Sequence, residues 1–183
     1  MQLHLKRLKT ETLDDFLDYF DHRAFLRDDD WAGCYCQAYL NPPDTNEEDV
    51  FGPGKARQSA CDRVNSGRMD GYLAYANDKV VGWCAAGSSK LYERLPDADD
   101  KLARLICFNV DPALRNQGIA NTMLDLVISD LEQRGFAAIE AAPLASETSE
   151  RSFQGTVSMF EARGFEKVAE MPSGQILMRR NFD

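Results

Sequence analysis

Apolar residues recur along this chain with two periods, and the switches between them lay out its elements. In QLHLKRL, Leu3 and Leu5 alternate with polar neighbours, the period of a strand with one covered face. Leu13, Phe16, Leu17 and Phe20 then repeat at helical spacing, behind Thr10 or Thr12 as a capping hydroxyl. The breakers DDD, NPPD and GPG make residues 28–54 irregular, and a second helix is predicted from about Lys55 to Asn65. Two strands follow, GYLAYA and KVVGWCAAG. They are joined at Asn77-Asp78, a pair that tolerates the positive φ of a tight hairpin turn. ARLICFNV is apolar enough to lie centrally in a sheet.

In the second half, Ile119, Met123, Val127 and Leu131 form one helical stripe with Ala120, Leu124 and Ile128 beside it. Arg134 and Gly135 close that helix with a cation at its negative pole and a residue suited to the left-handed conformation. FAAIEAA reads as a buried strand. Phe153, Val157 and Phe160 mark a short helix ended by Arg163-Gly164, and FEKVAE and QILMRR form a last hairpin through MPSG. The predicted order is β-α-α-β-β-β-α-β-α-β-β, an α/β fold with a mixed sheet. With no internal repeat and no low-complexity linker, residues 1–183 are expected to form one domain.

Composition narrows the function classes. The formal charge of −9 argues against a nucleic-acid partner, whose binders carry basic patches. No apolar run reaches the roughly 18–20 residues that cross a bilayer, and MQLHLKRLKT is too polar for a signal peptide. Five cysteines, Cys34, Cys36, Cys61, Cys84 and Cys107, are odd in number and lie mostly in apolar surroundings. They suit reduced thiols in a cytoplasmic protein better than a disulfide framework.

The stretch VDPALRNQGIANTML, residues 110–124, carries the chemistry. A strand ends, a turn of Arg115, Asn116, Gln117 and Gly118 follows, and a helix starts with no Ser, Thr or Asp in capping position. A helix start leaves about four unpaired N–H groups and a partial positive charge, which an anion satisfies where no side chain does. Gly118 admits close approach, Ala120 adds little bulk, Arg115 adds a cation, and successive turn amides can nest a phosphate. These features predict a phosphate or pyrophosphate site; an ordinary loop capped by water is the alternative. One glycine is too few for a dinucleotide fingerprint, and the lysine and hydroxyl of a P-loop are missing.

Val110, Asp111 and Pro112, then Arg115, Gly118 and Ala120, resemble the hallmark of the GNAT superfamily of acetyltransferases. MFEARGF, Met159 to Phe165, is similar to a second motif of that family, and the element order agrees over nearly the whole chain. The resemblance implies a mixed, largely antiparallel sheet flanked by helices. It also implies acetyl-CoA as co-substrate and no metal. The cofactor site would comprise Phe108, Asn109 and Val110, pairing with the pantetheine arm, and Arg115, Asn116, Gln117, Gly118, Ile119 and Ala120, receiving the pyrophosphate. The implied activity is transfer of acetyl to a primary amine on a small molecule or peptide, by direct attack. A homodimer is left open, and a non-catalytic acyl-CoA sensor is the rival reading.

The chain departs from the family at the expected general acid. Many relatives place a Tyr where this sequence has Phe160, and an Asn where it has Phe153. Glu140 lies in an otherwise apolar strand, where burial disfavours the charged form of a carboxylate, and it is the candidate general base. Cys107, on the cofactor strand, is a weaker candidate as a nucleophile. Cys34 and Cys36 are too tightly spaced for a zinc knuckle and suit core packing or an acceptor pocket. Trp31, Tyr35, Tyr39 and Trp83 offer faces for an amine. The acidic runs Asp28–Asp30 and Glu47–Asp49 fall in the third of the chain that the family uses for its acceptor. They lead to the expectation of a cationic amine.

Overall fold

A computed structural model of the chain describes residues 2–26, 30–145 and 153–182, and it reproduces the predicted order with one addition. Strand β1 (His4–Arg7) is followed by α1 (Leu13–His22), the added short helix α2 (Glu47–Phe51), and α3 (Lys55–Asn65). The hairpin of β2 (Tyr72–Ala76) and β3 (Lys79–Ser88) leads to β4 (Leu102–Val110) and the long helix α4 (Ile119–Gln133). Strand β5 (Ala138–Ala141), helix α5 (Val157–Glu161) and the hairpin of β6 (Glu166–Glu170) and β7 (Ile176–Asn181) complete it. The β2–β3 turn has Asn77 at φ +50° and Asp78 at φ +61°, as its sequence predicts.

The seven strands form one sheet in the order β1-β2-β3-β4-β5-β7-β6, antiparallel throughout except for the β4–β5 pair. That exception shapes the molecule. β4 and β5 pair only from Leu102↔Ala138 to Leu105↔Ala141, while β4 continues to Val110 with β3 alone beside it. Against β3, Leu105 faces Ala86 and Cys107 faces Ala85, which leaves Ile106 as an extra residue. Such a bulge bends a strand and sharpens its twist. The sheet therefore parts between β4 and β5 just after their last shared register.

The sheet is covered on both faces, and all five residues of β2 are buried. On one face α4 buries Met123, Leu124, Val127, Ile128 and Leu131, the stripe read from the sequence. Burying each such side chain fully contributes roughly 1.5–3 kcal/mol, so this face, rather than either end, holds α4 in place. On the other face Phe16 and Phe20 of α1 pack against Trp83 of β3, with ring centroids 4.8 and 6.2 Å away. Among the described residues, no helix is long and apolar enough to cross a membrane.

Candidate active site

The site begins where β4 gives way to α4. Asp111 accepts a hydrogen bond from the Ala113 amide at 3.0 Å and starts a tight 3-10 turn over Pro112–Leu114. Asn116 (φ +62°) and Gly118 (φ +77°) are both left-handed. Gly118 occupies the capping position of α4, no side chain makes a capping hydrogen bond there, and the first turn holds no acidic residue. A Cβ added at Gly118 would meet nothing within 4 Å, so the space beside it is open. It belongs to a cleft of about 290 Å³.

Of the residues expected to meet the cofactor, Phe108, Val110, Arg115, Asn116, Gly118, Ile119 and Ala120 line this cleft. Asn109 and Gln117 do not. The Asn109 side chain turns into the core, accepting from the Tyr19 hydroxyl at 2.6 Å and donating to the Ala24 carbonyl at 2.9 Å. Burial pushes the Tyr19 pKa well above its ordinary value, so the hydroxyl stays a donor to this amide. Gln117 is exposed. Arg115 lines the cleft, and its Nε donates to the Val110 carbonyl at 3.3 Å.

The opposite wall was not legible in the sequence. Phe153, Gly155 and Thr156 supply it from the segment leading into α5, with Met159 of α5 itself. Sequence spacing groups Phe153 with that helix. Instead Gly155 is left-handed (φ +77°), and Thr156 caps the helix by accepting from the Met159 amide. The Phe153 carbonyl is freed to reach into the parted sheet, where it accepts from the Phe108 amide at 2.5 Å. One of the strand amides expected to meet the pantetheine arm thus has a partner within the chain. Phe160 is fully buried against Phe108 and Phe165.

Phe153 also borders a second hollow of about 320 Å³ on the α1 side of β4, lined by Cys34, Cys36, Cys107, Tyr39, Trp31 and Arg94 among others. The structure therefore brings the cysteines of WAGCYCQAY to the cofactor strand, beside Cys107. Hydrogen bonding to Cys107, together with burial, pushes the Cys36 thiol up, and Trp83 Nε1 donates to its Sγ at 3.1 Å. None of the five cysteines, all of them described, is in a disulfide. Among the described residues, no group of three His, Cys, Asp or Glu side chains is arranged to hold a metal ion. Of the acidic runs, Glu47, Glu48 and Asp49 are exposed in the first turn of α2 and Asp30 is exposed, while Asp28 and Asp29 lie outside the described residues. None of the described ones lines the hollow.

Glu140 sits elsewhere. Its side chain is 5% exposed and lies between two guanidinium groups: Arg104 Nε at 3.3 Å, and Arg179 Nε and Nη2 at 3.0 and 2.5 Å. The register explains this directly, because Arg104, Glu140 and Arg179 are neighbours across β4, β5 and β7. Glu140 borders neither the cleft nor the second hollow. Paired in this way it acts as a cross-strand tie, and with Arg104 and Arg179 it lines a separate hollow of about 240 Å³ rather than the cleft at the start of α4.

The model of the acetyltransferase (GNAT) family matches residues 6–165. No curated protein sequence matches the chain. Solved structures with the same fold include PaiA N-acetyltransferase from Thermoplasma acidophilum in complex with coenzyme A. It is 13% identical, with all of both chains covered and a TM-score of 0.57. The ribosomal-protein-S18-alanine N-acetyltransferase from Escherichia coli is 17% identical over 98% of this chain and 94% of its own, with a TM-score of 0.57. A probable acetyltransferase from Staphylococcus epidermidis is 11% identical over all of both chains, with a TM-score of 0.60. With its parted sheet, uncapped helix start and family match across most of its length, this chain belongs to the acetyltransferase (GNAT) family and is an acetyl-CoA-dependent acyltransferase.

Proposed function

We propose that the chain acetylates a primary amine by direct attack, with the turn from Arg115 to Ala120 receiving the pyrophosphate of acetyl-CoA. The observation that carries this reading is the start of α4: uncapped, free of acidic residues and open to a cleft that runs along the parted half of β4. Such a helix end favours an anion by its exposed N–H groups and dipole together. Acetyl-CoA supplies the acetyl group as an activated thioester.

The residues of the chain then act chiefly by placement. Backbone N–H groups on the parted half of β4 are the donors available to a developing oxyanion. The hollow beyond Phe153 and Cys107 receives the amine. Among the described residues, neither the cleft nor this hollow is lined by a carboxylate or an imidazole. Holding two reactants in line supplies much of a barrier reduction on its own, and a CoA thiolate is a fair leaving group near neutral pH. The hollow's lining gives no support to a cationic acceptor, since the exposed acids of α2 stand outside it.

The test is release of free thiol from acetyl-CoA with a panel of amines, beside calorimetric titration with CoA. The enzyme reading requires both binding and amine-dependent release. CoA binding without amine-dependent thiol release would overturn the proposed transfer to a primary amine.

A further inference from the structure

Most of the described arginines of this acidic chain pair with carboxylates. Arg23 pairs with Asp18, Arg57 with Asp21, Arg134 with Asp70 and Arg163 with Asp125, and Arg104 and Arg179 share Glu140. Arg94 is different. It lines the second hollow, its Nε is buried without a hydrogen-bond partner, and among the described residues its guanidinium makes no ion pair. Its own amide donates to the Tyr39 carbonyl at 3.4 Å, which fixes the residue at the wall. The rest of the wall is largely apolar, with Phe25, Trp31, Ile106 and Phe153, and it offers no second cation among the described residues.

Arg94 is only partly buried, so its guanidinium stays open to a ligand in the hollow it lines, and a charge-assisted hydrogen bond there is among the stronger polar contacts. A guanidinium presents a planar fork that matches a carboxylate. A single cation against an apolar wall matches one negative charge on an apolar body, rather than a phosphate of nearly two charges. The net charge of −9 makes the point sharper: anions are repelled from the molecule as a whole, so only a local cation gives one a place to rest.

Building on the acyl-transfer reading, we propose that the acceptor is an amine that also carries a carboxylate, with Arg94 holding the carboxylate and the apolar wall holding the body. Amino acids with apolar side chains are the simplest members of this class. The reacting amine then faces Cys107 and Phe153, where the hollow meets the cofactor cleft.

The experiment measures binding, so that it stands apart from turnover. The full chain, with and without saturating CoA, is titrated with N-acetylphenylalanine and with N-acetylphenylalaninamide, followed by calorimetry. The acid should bind roughly 10- to 100-fold more tightly than the amide, the usual weight of a charge-assisted hydrogen bond. Arg94→Gln should collapse that gap and Arg94→Lys should restore part of it, with unchanged melting temperature showing that both variants fold. Equal affinity of acid and amide for the unaltered protein, a gap that survives Arg94→Gln, or no binding of either probe would overturn the inference. Failure of the acyl-transfer reading shows separately, as absent CoA binding or absent thiol release.

Discussion

At Gly118 the backbone is left-handed and borders open space, so a side chain there meets no wall but points into the region assigned to phosphate. Gly118→Glu costs about 1–2 kcal/mol of backbone strain and places a negative charge in that region. The expected outcome is loss of acetyl-CoA binding by calorimetry, with a small drop in melting temperature. Glu140→Gln makes the opposite test. Breaking a buried pair typically costs about 3–5 kcal/mol, so the variant should melt much earlier while the folded fraction keeps its turnover. A fall in turnover of roughly 10²–10⁴-fold with unchanged melting would return Glu140 to the role of base. An acid in an apolar run looks the same in sequence for either role. What separates them is the cross-strand register that sets Arg104 and Arg179 beside it, and these lie 36 and 39 residues away along the chain.

Between elements, Asp21 of α1 ties two others. Arg57 of α3 donates to its carboxylate at 3.0 Å, and the Tyr35 hydroxyl donates from the loop that carries Cys34 and Cys36. Burial pushes the Asp21 carboxyl up, but the bonds from Arg57 and Tyr35 outweigh it and hold it below its ordinary value. A carboxyl lowered by folding contributes stability above its unfolded pKa and loses it as pH falls through the folded value. The melting gap between the unaltered protein and Asp21→Asn should therefore be full at neutral pH and shrink below roughly pH 4. A gap that stays constant into acid would remove this account. Long periodic elements such as α1 and α4 were legible from the sequence because their stripes span several turns. Helix α2 was not, since five residues with only Val50 buried give no period, although Asn46 does cap it. The wall at Phe153 was hidden for another reason: Gly155 breaks the spacing that had placed this residue on a helix.

Over the whole molecule, a ligand that binds only the folded chain stabilises it by mass action. CoA at a hundred times its dissociation constant should add about 2.7 kcal/mol, or roughly 5–10 °C in melting temperature for a chain of this size. Gly118→Glu should show no such shift; a full shift in that variant would place the phosphates elsewhere. The fold class could be read from the order of elements, but the two hollows could not, because residues distant in sequence meet there only after β4 and β5 part. That parting also bears on how the protein avoids unwanted company. A strand with unmade backbone bonds is ordinarily an invitation to other chains, and proteins cover or charge such edges. Here the open half of β4 lies in the middle of the sheet, walled by α4 on one side and by the segment from Phe153 to Thr156 on the other. An extended molecule in that gap would borrow the bonding pattern of a strand, while the walls on both sides cover the open edge against other chains.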